Sequence, residues 1–130
     1  MSSYGFSTRV ALPFDQAVTS VTDALKAEGF GVLTEIDLQA KLREKLGVEV
    51  PANVILGACH PPSAHRALEA KPEVAVLLPC NVCVATEARD TVIRAMNPEV
   101  AMSMLGGSEI EAVAQEVAAA LRRVVTRVAS

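Results

Sequence analysis

Three cysteines and two histidines hold most of the reactive chemistry in this chain of 130 residues, and all five fall between Cys59 and Cys83. Two short segments concentrate them, Gly57-Ala58-Cys59-His60-Pro61-Pro62 and Leu77-Leu78-Pro79-Cys80-Asn81-Val82-Cys83. Cys59 ends an apolar run and stands just before a proline-led helix, where a helix N-terminus favours an anion and lowers a thiol pKa. In a thiol-dependent redox protein Cys59 would attack, Cys80 would resolve, and His60 would support the thiolate, so these three residues are the catalytic candidates. In a binding module, Cys59, His60, Cys80 and Asn81 would line a small-molecule or anion site at the helix start by Pro61. The competing reading of each thiol is a packed strand residue, because cysteine is among the most buried residue types, and a purely structural interaction module would have no pocket at Cys59 and a large apolar interface instead.

Other constellations are weaker. Cys80 and Cys83 have Cys-x-x-Cys spacing, but their flanks read as strand, and residues three apart on a strand point to opposite faces. Cys59, His60, His65, Cys80 and Cys83 include enough ligands for zinc, yet they lack the paired hooks of dedicated sites, so no metal is expected. His65 reads as an exposed residue on its helix's polar face. No glycine-rich nucleotide loop, His-Glu-x-x-His or Gly-x-Ser-x-Gly motif occurs, so no cofactor is expected and no enzyme class is indicated.

The elements that must position these residues follow from periodicity. Tyr4 to Leu12 alternates as a strand, and Pro13 opens a helix with Phe14, Val18, Val21 and Leu25 on one face and Gly29 as its C-cap. Phe30 to Ile36 is a strand, and Asp37 caps a helix with Leu38, Leu42 and Leu46 on one face, stopped by Gly47. Val54 to Cys59 is a continuous apolar run, expected at the centre of a sheet. Pro61 or Pro62 begins the next helix. Val74 to Leu78 and Cys80 to Thr86 read as one strand interrupted at Pro79, with Thr91 to Met96 as its antiparallel neighbour. Pro98 starts a helical turn through Leu105. Ser108 to Glu111 reads as a capping box opening a long helix through Val128.

These elements predict an α+β fold: one domain over residues 1–130, with helices on one face of a mainly antiparallel sheet. Ala75, Leu77 and Val84 are assigned to the other face, which makes a homodimer through the sheet or its edge the expected assembly. Composition narrows the function further. The chain is 51% hydrophobic with no Trp, and its four aromatics lie within the first thirty residues. With a formal charge of -3 it has no basic surplus for a phosphate backbone, so nucleic acid is disfavoured as a partner. No apolar run reaches a membrane span and the start lacks signal-peptide features, so a cytoplasmic location is expected. Asn and Gln number only six and Arg outnumbers Lys eight to four, a weak sign of a thermophile.

The string Ile55-Leu56-Gly57-Ala58-Cys59, the Pro-led helix with Ala64, Ala67 and Leu68, and Leu77-Leu78-Pro79-Cys80-Asn81-Val82 together resemble the bacterial family known as domain of unknown function 302. Lys45-Leu46-Gly47 and Asn97-Pro98 extend the resemblance across nearly the whole chain. The family pattern favours Asn where this chain has His60, and it does not require a thiol at Cys83. The resemblance implies a dimeric α+β domain similar to the TATA-binding-protein arrangement, a curved antiparallel sheet with helices on its concave side. It implies no known activity.

Overall fold

A computed structural model describes residues 4–130. Five strands form one antiparallel sheet in the order β1-β5-β4-β3-β2. The strands are β1 (Gly5–Val10), β2 (Gly31–Asp37), β3 (Asn53–Cys59), β4 (Cys80–Glu87) and β5 (Asp90–Met96). The helices are α1 (Phe14–Ala27), α2 (Leu38–Leu46), α3 (Pro61–Ala70), α4 (Pro98–Ala101) and α5 (Ser108–Ala129), with 3₁₀ turns at Pro72–Leu77 and Met102–Met104. This is the α+β class that the periodicity predicts.

Strand alternation assigns each residue of the central strands to one face. In cross-strand register, Leu56 lies opposite Val82 and Val82 opposite Ala95, while Val54 faces Val84 and Val84 faces Ile93. All six are buried, and they pack with Val21 and Leu25 of α1 and Ile110, Val113, Leu121 and Val124 of α5. Each large apolar side chain removed from water here contributes roughly 1.5 to 3 kcal/mol before the entropy of ordering it is counted. The opposite face carries Ile55, Cys83 and Arg94 in one row and Asn53, Ala85 and Val92 in the next. Arg94 forms a bidentate pair with Glu87, and Arg9 bonds Asp90 at 3.3 Å. Ala85 and Val92, on the same face as these charges, are only 6% and 5% exposed.

Several expectations are corrected. Val74 to Leu78 is not strand: Pro72 starts a 3₁₀ helix, and three-residue spacing turns Val74 inward while Val76 stays 86% exposed. Val84 belongs to the helix-covered face, and Ala75 and Leu77 belong to the 3₁₀ turn, so none of the three forms an open apolar sheet face. Ser108 is the first residue of α5, and its N-cap is Gly107, with no side-chain cap bond. Gly107 has a φ of 95°, a backbone shape that suits glycine and removes Ser108 from the capping position. Glu28 is the C-cap of α1, and Gly29 is the left-handed residue after it. The first strand is shorter than read, Gly5–Val10. Leu38, Leu42 and Leu46 do not join the core, because α2 has no buried residue.

Local bonds hold α2 instead. The Asp37 carboxylate accepts from the Ala40 N–H at 2.9 Å, Gly47 takes a φ of 69°, and Arg43 makes a forked pair with Glu49 at 2.9 and 3.0 Å. Gln39 also donates to the Val50 carbonyl at 3.0 Å, closing the return to β3.

Candidate functional site

The crevice at the end of β3 is built by three chain segments. β3 ends at Cys59, and His60 is the N-cap of α3, with its carbonyl accepting from the Ala64 N–H at 2.9 Å. Pro61 and Pro62 fill the first helical positions, where a missing N–H and a fixed φ suit the helix. One turn on, the Ser63 hydroxyl meets His60 Nδ1 at 2.8 Å, and Ser63 is 95% removed from solvent. The second segment is the turn after α1. Gly29 and Phe30 donate their N–H groups back to Lys26 and Leu25 at 3.0 and 2.9 Å, which brings Phe30 under the imidazole at 5.4 Å between ring centroids. Gly29 has a φ of 86°, and a Cβ there would meet His60 Nε2 at 3.1 Å. Glycine therefore meets a backbone and a packing requirement at once.

The third segment is α5, which closes the crevice. Glu28, His60, Ser63, Glu116, Val117, Ala120 and Arg123 line a hollow of about 170 Å³. Arg123 holds Glu28 at 2.9 Å, and Arg66 of α3 holds Glu116 at 2.7 Å and Glu109 at 2.9 Å. His60, Ser63 and Val117 also border a second, nearly apolar cavity of about 20 Å³, whose walls include Cys59, Leu78, Cys80 and Met102. That volume suffices for about one water molecule. Among the described residues, no buried side-chain nitrogen or oxygen lacks a partner.

Cys59 and Cys80 come together at one end of the β3–β4 ladder, on the wall of the small cavity. Cys80 lies opposite Ala58 in the β3–β4 register, so its side chain points to the helix-covered face. Cys59 follows Ala58 as the last residue of β3, and it borders the same small cavity as Cys80. All three cysteines are free. The expected activation of Cys59 is also corrected: burial pushes its thiol pKa up, and prolines at the first two helical positions remove N–H donors that would hold a thiolate. Burial, reinforced by the nearby Cys59, pushes Cys80 up to about 11. Burial raises Cys83 too, against the opposing pull of Arg94.

A family model described as domain of unknown function DUF302 matches residues 6–128. The chain belongs to this family. Its fold is similar to the crystal structure of an uncharacterized conserved DUF302 protein from Bacillus stearothermophilus, with a TM-score of 0.90 and 28% identity over 97% of this chain and 98% of the other. None of the curated proteins matches the chain.

In this DUF302 domain the four ligand candidates divide. Cys59, His60 and Cys80 border the small cavity, whereas Asn81 is exposed on the other face opposite Gly57. Gly57 is fixed by that packing, because a Cβ there would overlap the Thr34 hydroxyl and crowd Pro79. His65 is exposed beside Glu69 at 3.4 Å. Among the described residues, no three His, Cys, Asp or Glu side chains are arranged to hold a metal ion. No helix among them is long and apolar enough to cross a membrane.

Ser63, Phe30, Glu28, Glu116 and Arg123 were not singled out by motif. Ser63 alone had a sequence signal, three residues after the cap at the spacing of a reciprocal capping pair. The others arrive through the α1 turn and α5, which only tertiary packing brings together.

Proposed function

We propose that this DUF302 domain is a dimeric binding module whose ligand is a small polar molecule, neutral or cationic, seated in the His60–Ser63 crevice. The observation that carries this reading is the 2.8 Å bond between His60 Nδ1 and Ser63 Oγ at the wall of a 170 Å³ hollow. That bond fixes the imidazole plane and leaves the ring as an oriented donor or acceptor. The charge balance selects the ligand class. Arg123 pairs with Glu28 and Arg66 with Glu116, which leaves the wall without surplus positive charge, and the α3 N-terminus begins with two residues that have no N–H. Both features work against the anion that the helix start alone would favour.

The test is an amide NMR titration with ethanolamine, and with inorganic phosphate as the contrasting addition. Ethanolamine is expected to shift Gly29, Ser63 and Ala120 saturably, and His60→Ala to weaken that response tenfold or more. Saturation of the same amides by phosphate would reverse the charge argument, and no response to either would remove the site. A thiol-redox role has less support. Burial raises both thiol pKa values, and a neutral Cys59 and a neutral Cys80 are poor partners for exchange.

A further inference from the structure

Three sulfur side chains from three separate elements border the nearly apolar cavity of about 20 Å³: Cys59 at the end of β3, Cys80 at the start of β4 and Met102 at the start of the second 3₁₀ turn. Register explains the meeting of the thiols, because Ala58 lies opposite Cys80 and Cys59 is the next residue. Cys80 and Met102 are only 5% and 3% exposed, whereas Cys59 is half-buried and so the most accessible of the three. Both thiols are free, and among the described residues neither takes part in a hydrogen bond.

We propose that Cys59 and Cys80, with the Met102 thioether beside them, form a site for one soft monovalent metal ion, Cu(I). The site is separate from the hollow lined by Glu28, Glu116 and Arg123, and it does not depend on what that hollow binds.

The cavity has room for one small occupant, and its wall decides which. A buried water needs about two to four hydrogen-bond partners. Here His60 Nδ1 and Ser63 Oγ already bond each other at 2.8 Å, and most of the remaining wall is alkyl and sulfur, which are poor partners for water. Thiols and a thioether are good donors to a soft, polarisable cation instead. Coordination number rules out the harder ions. Zinc completes a tetrahedron and calcium or magnesium a shell of oxygens, whereas among the described residues no third His, Cys, Asp or Glu joins the two thiols. A low-coordinate set of sulfur donors suits Cu(I). Binding is an exchange at sulfur: two S–H bonds break, two Cu–S bonds form, both protons leave to solvent, and the copper stays Cu(I). Cys59 captures the ion first because it is the accessible thiol, and Cys80 completes the pair. Cys83 serves as the internal contrast, since it stands in the row of Ile55 and Arg94 on the opposite face of the sheet.

Anaerobic titration of the reduced full chain with Cu(I), in competition with the chelator bicinchoninate, tests the site. One ion per chain is expected, held against the chelator, with a shell of sulfur alone in X-ray absorption. Cys59→Ser and Cys80→Ser are each expected to weaken binding a hundredfold or more, Met102→Leu about threefold or more, and Cys83→Ser to leave it unchanged. Because Cys80→Ser alters a buried position, the wild type supplies a second readout. Saturating Cu(I) is expected to protect Cys59 from iodoacetamide and to leave Cys83 as reactive as before, as mapped by mass spectrometry. Copper surrendered to the chelator, a shell of nitrogen or oxygen, equal weakening by Cys83→Ser, or equal protection of Cys83 overturns the proposal. Half an ion per chain overturns it as well, since the copper would then lie between chains.

Discussion

The β4–β5 hairpin and the β2–α2 segment flank β3 from the two directions of the chain, and they are ordered by different forces. The hairpin buries Val82, Val84, Ile93 and Ala95 under α1 and α5. The β2–α2 segment buries almost nothing and is held by a cap, a left-handed glycine and an arginine fork. Packing order is cooperative with the whole core, whereas order from local hydrogen bonds can be lost without unfolding the rest. A functional surface that must meet a partner is better placed on the second kind, because its apolar groups remain available.

The contrast can be broken by mutation. Ile93→Ala, at a fully buried position, is expected to cost about 2 to 5 kcal/mol in denaturant unfolding, with the whole chain melting in one transition. A loss confined to part of the chain would show that the hairpin is not part of a common core. pH sharpens the same point. The Cys80 thiol is neutral in the fold up to about 11 but ionises near 9.0 when exposed, so the unfolded state releases its proton first. Stability is therefore expected to fall as pH rises through that window, with a slope approaching about 1.4 kcal/mol per pH unit from this group alone. Cys80→Ala should remove that part of the slope, and equal slopes in both proteins would refute the assignment.

Gly57→Ala probes the seam between the two regions. Its Cβ would displace Thr34 of β2 and crowd Pro79, at an expected cost of about 1 to 3 kcal/mol, and amide exchange should quicken in β2 more than in β5. Asp37→Ala removes the α2 cap at a cost of about 1 kcal/mol. Hydrogen exchange is expected to show α2 fraying while α5 protection is unchanged, and uniform loss of protection would mean that α2 is part of the core.

Elements whose period matches their burial were legible in the chain. The apolar run at β3, the proline-led α3 and the five-turn stripe of α5 all follow from spacing, and the antiparallel neighbour of β4 follows from the short turn before Asp90. The Val74 to Leu78 run misled because a short apolar stretch has no period long enough to separate strand from a 3₁₀ turn. α2 misled for the opposite reason, since its leucines keep perfect helical spacing without meeting a core. At the site, His60 and the two flanking cysteines were visible as residues. Their relation was not, because the face to which each thiol points depends on register, and Glu28 and Arg123 meet only through the docking of α5 on α1.

The charged network on the open face has a consequence for solubility. Arg94 holds the Glu87 carboxyl below the ordinary carboxylate range, so the pair persists under mild acid and is lost as pH falls through that lowered value. Protonation then releases Arg94 and Arg9 from Glu87, on the face that also carries Ala85, Val92 and Ile55. Strong acid should therefore turn a salt-tiled surface into an adhesive one, visible as dye binding and light scattering before the helical signal is lost, and Glu87→Gln should produce the same stickiness at neutral pH.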